Sequence, residues 1–213
     1  MAHLYVARHG ETDFNRAGRY QGQLESDLTD VGLRQADALA SALASRTVRR
    51  VVSSPLRRCT QTANAIAAKH GLEVTCDSRL LEIAHGTWEG RLRREIERDD
   101  PGQMNAWRTA PQSVRFQGGE SLADVDARWR EFAASMSAAA DTIAVTHDVV
   151  VRLAILCATN RPWADLWKPS VCNGGFAVFE ITDTGGSRRW TLVEECEHAH
   201  LGSLLVDPST QAL

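Results

Sequence analysis

Leu4-Tyr5-Val6-Ala7-Arg8-His9-Gly10-Glu11-Thr12 is the stretch that decides the fold. Four apolar residues, enough for a short buried strand, are cut off at once by charge and a glycine. The carboxyl end of that strand therefore carries Arg8, His9 and Gly10. Working outward, residues 12–28 show no clean period and read as an irregular loop. Thr29 suits the N-cap of a helix running to about Ser45, with Leu33, Ala36, Leu39, Ala40 and Leu43 as its apolar face. Arg50–Ser53 holds the next short strand, centred on Val51 and Val52. Ser54-Pro55 reads as an N-cap followed by proline at the first helical position, and Gly71 suits the end of that helix.

Strand, helix, strand, helix at this spacing predicts crossover units and a largely parallel sheet. The pattern returns with a helix from about Ser121 to Met136, the strand Thr142–Thr146 and His147 just past its end. A further helix from about Val149 to Thr159 follows, then strands at Phe176–Thr182 and Arg189–Glu194. Residues 84–118 hold Gly86, Gly90, Pro101, Pro111 and the pair Gly118-Gly119, and read as an insertion over the carboxyl edge of the sheet. With no repeat or linker in sight, residues 1–213 are expected to form one domain, a three-layer α/β/α sandwich with a mainly parallel sheet.

Composition narrows the function classes. The chain is 43% hydrophobic and 24% charged with a formal net charge of -3, so the basic footprint of a nucleic-acid binder is missing. Nearly all the basic charge is arginine, Lys69 and Lys168 being the only lysines. Five scattered cysteines without a C-x-x-C pair argue against a secreted disulfide framework or a structural zinc site. The start, MAHLYVARHG, lacks the pattern of a signal peptide, and no apolar run is long enough to cross a bilayer. A cytoplasmic location is expected, with no membrane or nucleic-acid partner. Cys196, His198 and His200 alternate and would share one face of a strand, a spacing that could hold zinc, but no fourth ligand is evident. Neither a metal nor a cofactor is expected.

Ligands of open α/β sheets bind beyond the carboxyl ends of the strands, where His9 and His147 both fall. Arg8 adjoins the first, and Arg58 lies in the first turns of the helix opened by Ser54-Pro55. Two imidazoles, two guanidinium groups and exposed backbone N–H groups suit a phosphate dianion. One imidazole can attack phosphorus while the other groups hold the equatorial oxygens. Glu82, after Leu80-Leu81, is the candidate proton donor to the departing oxygen. Spacing alone also fits histidines that merely hydrogen-bond at strand ends.

Four ordered blocks separate those readings. Arg8-His9-Gly10-Glu11-Thr12 with Asn15 resembles the signature of the histidine phosphatase superfamily, the phosphoglycerate-mutase-like group. The resemblance continues through Ser53-Ser54-Pro55-Leu56-Arg57-Arg58-Cys59-Thr60-Gln61-Thr62-Ala63, then Leu81-Glu82-Ile83-Ala84-His85-Gly86-Thr87-Trp88-Glu89-Gly90, and ends at Val145-Thr146-His147. It implies a sheet of mainly parallel strands with helices on both faces. It implies His9 as the nucleophile that becomes phosphohistidine, with Arg8, Arg58 and His147 clamping the phosphoryl oxygens. Glu82 then resembles the acid that protonates the leaving group and the base that activates water. Asn15, Gln21 and Gly22 resemble secondary contacts to phosphate or substrate, and His85, Trp88 and Arg115, in the insertion, are expected to meet the organic part of the substrate. Trp107 and Phe116 are expected to pack that insertion down.

The segments Gly86-Thr87-Trp88-Glu89-Gly90 and Gly118-Gly119-Glu120-Ser121 are in the style of the phosphatase branch. The glycolytic mutases carry Gly-Asn after the second histidine, where this chain has Asp148-Val149. A His-Asp pair supplies the proton donor in the acid-phosphatase branch, which makes Asp148 a second candidate beside Glu82. The expectation is a metal-independent phosphomonoesterase acting on a small phosphorylated metabolite. The alternatives are a phosphoglycerate-type mutase and a phosphoprotein phosphatase or phospho-ligand binding protein. A homodimer is the default assembly if the chain associates.

Overall fold

Alternation along the strands sets the layers. In β1 (Ala2–Arg8) of this computed structural model, which describes residues 1–207 and 211 apart from 185 and 186, Leu4 and Val6 enter one core while Tyr5 and Ala7 enter another. The same split recurs in β2 (Val48–Ser53) and β4 (Asp141–Thr146), where Val52 and Ala144 face the first core and Val51, Ile143 and Val145 the second. A sheet buried on both faces needs helices on both. Helices α2 (Asp30–Leu43) and α3 (Arg57–His70) cover the second core with Leu39, Leu43, Cys59 and Ile66. Helices α6 (Leu122–Ser135) and α7 (Asp148–Thr159) cover the first with Val125, Phe132, Val150 and Leu153.

With β3 at Val74–Cys76, β5 at Phe176–Thr184 and β6 at Ser187–Glu197, the strand order is β3-β2-β4-β1-β5-β6. β3, β2, β4 and β1 run parallel, while β5 and β6 close one edge antiparallel. The expected sandwich with a mainly parallel sheet is therefore present, with a mixed edge. Among the described residues no helix is long and apolar enough to cross a membrane.

Local departures from the sequence pattern each have a physical cause. The loop over residues 12–28 contains α1 (Asp13–Ala17), because the Thr12 hydroxyl accepts from the Asn15 N–H and the Asn15 side chain reaches back to the Thr12 N–H. Gly18 ends it in the left-handed conformation. Helix α3 starts at Arg57, not at Pro55, since the Ser54 N–H still donates to Val145 O and its hydroxyl is taken by His147. Leu33 is 47% exposed; the buried face of α2 runs through Gly32, Gln35, Ala36, Leu39, Ala40 and Leu43 instead. β3 leaves no mark in the sequence, being three residues long without an apolar pattern. Residues 84–118 fold into α4 (Arg93–Asp99) and α5 (Pro101–Thr109) with short 3₁₀ turns. Trp88, Trp107 and Phe116 anchor them in the first core through edge-on ring contacts of 5.0 to 5.1 Å.

Candidate active site

The carboxyl ends of β2, β4 and β1 are adjacent, and each delivers one polar side chain: Ser54, His147 and His9. The backbone holds them in place, with the His9 N–H donating to Thr146 O at 3.0 Å and the Arg8 N–H to Gly175 O at 2.9 Å. The rings of His9 and His147 lie edge to face with centroids 5.2 Å apart. Arg58, the second residue of α3, reaches in from one side. Glu82 arrives on the segment after the 3₁₀ turn Ser78–Leu80, which is tied down on two sides. Thr146 Oγ1 donates to Leu80 O at 2.7 Å, and the Arg128 guanidinium donates to the carbonyls of Leu81 and Glu82 while pairing with Glu120.

His9 is held as a neutral imidazole. Burial pushes its pKa well below the usual value, and Arg58 and Arg8 push the same way. Its Nδ1 lies 2.7 Å from Gly10 O. A carbonyl can only accept, so Nδ1 carries the proton and Nε2 keeps its lone pair. His147 is likewise lowered well below the usual value, by burial first and then by Arg58. Arg58 Nε donates to His147 Nδ1 at 3.3 Å, so the proton of His147 sits on Nε2 and points at Ser54 Oγ, 2.8 Å away.

Backbone oxygens fix Arg58, and backbone and side-chain oxygens together fix Arg8. Arg58 donates to Leu24 O and Gly22 O, both at 2.8 Å. Arg8 donates through Nη1 to Val171 O and through Nη2 to Gln211 Oε1 at 2.7 Å, and pairs with Asp148 at 3.2 Å. Its Nε is buried without a hydrogen-bond partner among the described residues. Buried donors are rarely left so, and this one suits an incoming oxyanion. Glu82 Oε1 accepts from the Ile83 N–H at 2.9 Å, yet burial and the neighbouring Asp148 push its pKa up to about 7. Asp148 has both oxygens engaged, by Arg8 and by Arg152 at 2.6 Å. Both of its oxygens thus face guanidinium groups, and its proximity is one of the causes that raise Glu82.

Arg8, His9, Asn15, Gln21, Gly22, Arg58, Glu82, His85 and Asp148 surround one narrow cleft of about 20 Å³, room for one or two water-sized groups. His147 stands behind His9, fully buried. His85 is lodged edge-on against Tyr20, Trp107 and Phe116, with neither ring nitrogen hydrogen-bonded among the described residues, and burial lowers its pKa to about 3. Arg115 is not part of the cleft. It bridges to Ser121, faces outward and pairs with Asp124 at 2.8 Å.

Two supporting residues lie outside the sequence motifs. Asn173 Nδ2 donates to His9 O at 3.0 Å and lies 3.3 Å from Asn15 Oδ1, and Gln211 Nε2 donates to Asn173 Oδ1 at 2.7 Å. Asn173-Gly174-Gly175 is a visible turn signal before β5, whereas nothing local marks Gln211. Through these bonds Gln211 orients Arg8. Gln211→Ala is expected to weaken inhibition by inorganic phosphate about tenfold, in line with a hydrogen bond to a charged group, with kcat changed much less than KM. Gln211→Glu keeps an acceptor for Arg8 but loses the donor to Asn173 and adds a negative charge near the anion, so it should not recover that loss. Inhibition constants for the three proteins check it.

Two neutral imidazoles, two buried guanidinium groups and a carboxyl that protonates near neutrality define a phosphoryl-transfer site. The chain belongs to the histidine phosphatase superfamily, branch 1, which it matches over residues 4–193. Within that superfamily it is a phosphatase, a hydrolase of phosphate esters. Phosphoserine phosphatase 1 of Hydrogenobacter thermophilus is 33% identical over 210 residues, 97% of this chain and 98% of that one. Glucosyl-3-phosphoglycerate phosphatase of Mycobacterium tuberculosis is 42% identical over 139 residues, 63% of this chain and 60% of that one. A solved mycobacterial glucosyl-3-phosphoglycerate phosphatase in complex with VO3 superposes with a TM-score of 0.83 at 32% identity, covering 91% of this chain and 98% of the other.

Proposed function

We propose that this chain hydrolyses a small phosphomonoester through a phosphohistidine at His9, with Glu82 as general acid and then general base. The observation that carries this reading is the pairing of protonation states. His9 is neutral with its Nε2 lone pair available, and Glu82, lining the same cleft, is raised to about 7. In the first step Nε2 attacks phosphorus, the bond from phosphorus to the ester oxygen breaks, and Glu82 gives its proton to that oxygen. In the second, the ionised Glu82 takes a proton from water, the hydroxide oxygen attacks phosphorus, and the N–P electron pair returns to Nε2.

Charge on the equatorial oxygens falls to Arg8 Nε and to Arg58, which have no metal to share it with in this proposal. For His147 to join the clamp it must offer a proton from Nδ1, so an arriving phosphoryl oxygen has to displace the Arg58 Nε–H from that nitrogen. The narrowness of the cleft supports a compact phosphorylated metabolite over a phosphoprotein. His85 and the aromatic rings around it supply the wall that meets the organic part. The relatives direct the choice of candidates to phosphoserine and glucosyl-3-phosphoglycerate.

The test is phosphate release from a panel of phosphomonoesters in the presence of EDTA, including those two and α-ribazole phosphate, beside an assay for phosphoglycerate isomerisation. Hydrolysis with kcat/KM spread over the panel by at least about a hundredfold is expected, a spread of roughly 3 kcal/mol in transition-state binding. Isomerisation without net hydrolysis would replace this reading by a mutase. Silence in both assays would leave a phospho-ligand binding protein.

A further inference from the structure

Cys196, which the sequence groups with His198 and His200, keeps only one of those partners. β6 ends at Glu197, so the two histidines lie past the strand, and His200 turns its Nε2 to Gly174 O at 2.9 Å. Cys172, from the segment before β5, takes the place of His200. One ligand atom each from Cys172, Cys196 and His198 lies within 4.8 Å of the others. The geometry points to a divalent-metal site of two thiolates and one imidazole, suited to Zn²⁺ and separate from the phosphate cleft.

Three features of the fold build this cluster. Phe176 pairs with Glu197 and Val178 with Glu194, so β6 carries one residue more than β5 across that stretch. Such a bulge re-aims the side chains within it, and Cys196 is one of the two residues it affects. Gly175 leaves room for both sulfurs: a Cβ there would stand 2.8 Å from Cys172 Sγ and 3.4 Å from Cys196 Sγ. His198 Nδ1 lies 3.2 Å from Cys196 O, a contact in which the ring N–H donates to the carbonyl. A backbone acceptor of this kind fixes the tautomer of a ligating histidine and leaves the other nitrogen for the metal.

Tetrahedral Zn²⁺ with Zn–S near 2.3 Å sets its sulfurs about 3.8 Å apart, so the three groups need to close by only about 1 Å. Two thiolates and an imidazole are the donor set that selects zinc over magnesium or calcium. The fourth position is left to a water molecule from the adjoining cavity of about 370 Å³, bounded by Cys172 and His198 together with Ser170, Leu205, Val206 and Asp207. Binding releases the thiol protons, so affinity rises with pH. The metal braces the segment whose Val171 carbonyl holds Arg8 and whose Asn173 side chain holds the His9 carbonyl. It thereby acts on the stability of the catalytic frame and takes no part in the chemistry.

The experiment titrates the reduced, chelator-stripped protein with Co²⁺ under a non-thiol reductant, then displaces Co²⁺ with Zn²⁺. One Co²⁺ per chain is expected, with a thiolate charge-transfer band in the near ultraviolet and the strong visible bands of a four-coordinate ion. Zn²⁺ should quench both and raise Tm. Cys196→Ser should lose most of the charge-transfer band, and His198→Ala should bind Co²⁺ at least about tenfold more weakly. His200→Ala should match the wild type. His198 is exposed, so its variant folds whatever the cysteine variant does. A weak six-coordinate spectrum without a thiolate band, or a spectrum untouched by Cys196→Ser and His198→Ala, overturns the proposal. So does a protein that binds no Co²⁺ when reduced and forms a Cys172–Cys196 disulfide with peroxide.

Discussion

A His9→Ala enzyme is expected to release phosphate more slowly by on the order of 10⁴-fold or more, because in the proposed mechanism the residue removed is the group that forms the covalent bond. The pocket around it should survive. Arg8, Arg58 and His147 are each held by bonds that do not involve the His9 ring, to Val171 O, Gln211 Oε1, Gly22 O, Leu24 O and Ser54 Oγ. Inorganic phosphate should therefore still bind to the variant, which separates loss of chemistry from loss of fold. The direct check is rapid quenching with ³²P-labelled substrate. The wild type should trap label that is stable to alkali and lost in acid, as a phosphorus–nitrogen bond is, and the variant should trap none. Label retained in the variant, or stable to acid in the wild type, would move the nucleophile elsewhere.

Glu82→Gln is the second large effect and shows itself in three ways. With alkyl phosphates, whose leaving oxygen needs a proton, the rate should fall about 10²- to 10⁴-fold. With an aryl phosphate whose phenolate leaves unaided, phosphorylation of His9 should suffer far less. In the wild type, the first step needs protonated Glu82, so it slows as pH rises through about 7, and that limb should vanish in the variant.

The stability effect runs the other way. The carboxyl has its folded pKa raised from 4.5 to about 7, so between those values the folded chain holds a proton the unfolded chain has lost. Stability must therefore decline as pH rises across that window. Above pH 7 the charged carboxylate costs on the order of 3 kcal/mol, which glutamine does not. Glu82→Gln should match the wild type in Tm near pH 4.5 and exceed it increasingly toward pH 8. A Tm difference independent of pH would show that Glu82 ionises in the folded protein as it does in water.

Much of this site is legible in the amino-acid sequence, for a physical reason. Arg8 and His9 follow a buried strand directly and His147 ends another, so their position at the sheet's edge is set by local pattern. Glu82 and Arg58 are marked by the motifs that contain them. What the sequence hides depends on contacts between distant segments. Gln211 has no local signal and matters only because the chain returns to Arg8. Cys172 joins Cys196 only through the bulged pairing of β5 with β6. Arg115 has the place of a substrate contact in the insertion, but a bridge to Ser121 and a pair with Asp124 turn it outward. The helix start at Ser54-Pro55 misleads because the serine hydroxyl has a second use beside His147.

The neighbours of β1 carry a consequence for how the protein is made. The strand that bears His9 lies between β4 and β5, so its partners are residues 141–146 and 176–184. A ribosome adding about 5–20 residues per second delivers β5 roughly ten to thirty seconds after β1. Until β4 emerges this apolar strand has a partner for neither edge, and from then until β5 emerges one edge stays open. Pairing at such separation makes folding slow, and the nascent chain exposes a surface on which holdase chaperones act. Slowing the translation of residues 140–180 should lower the yield of soluble enzyme more than the same delay placed after residue 197.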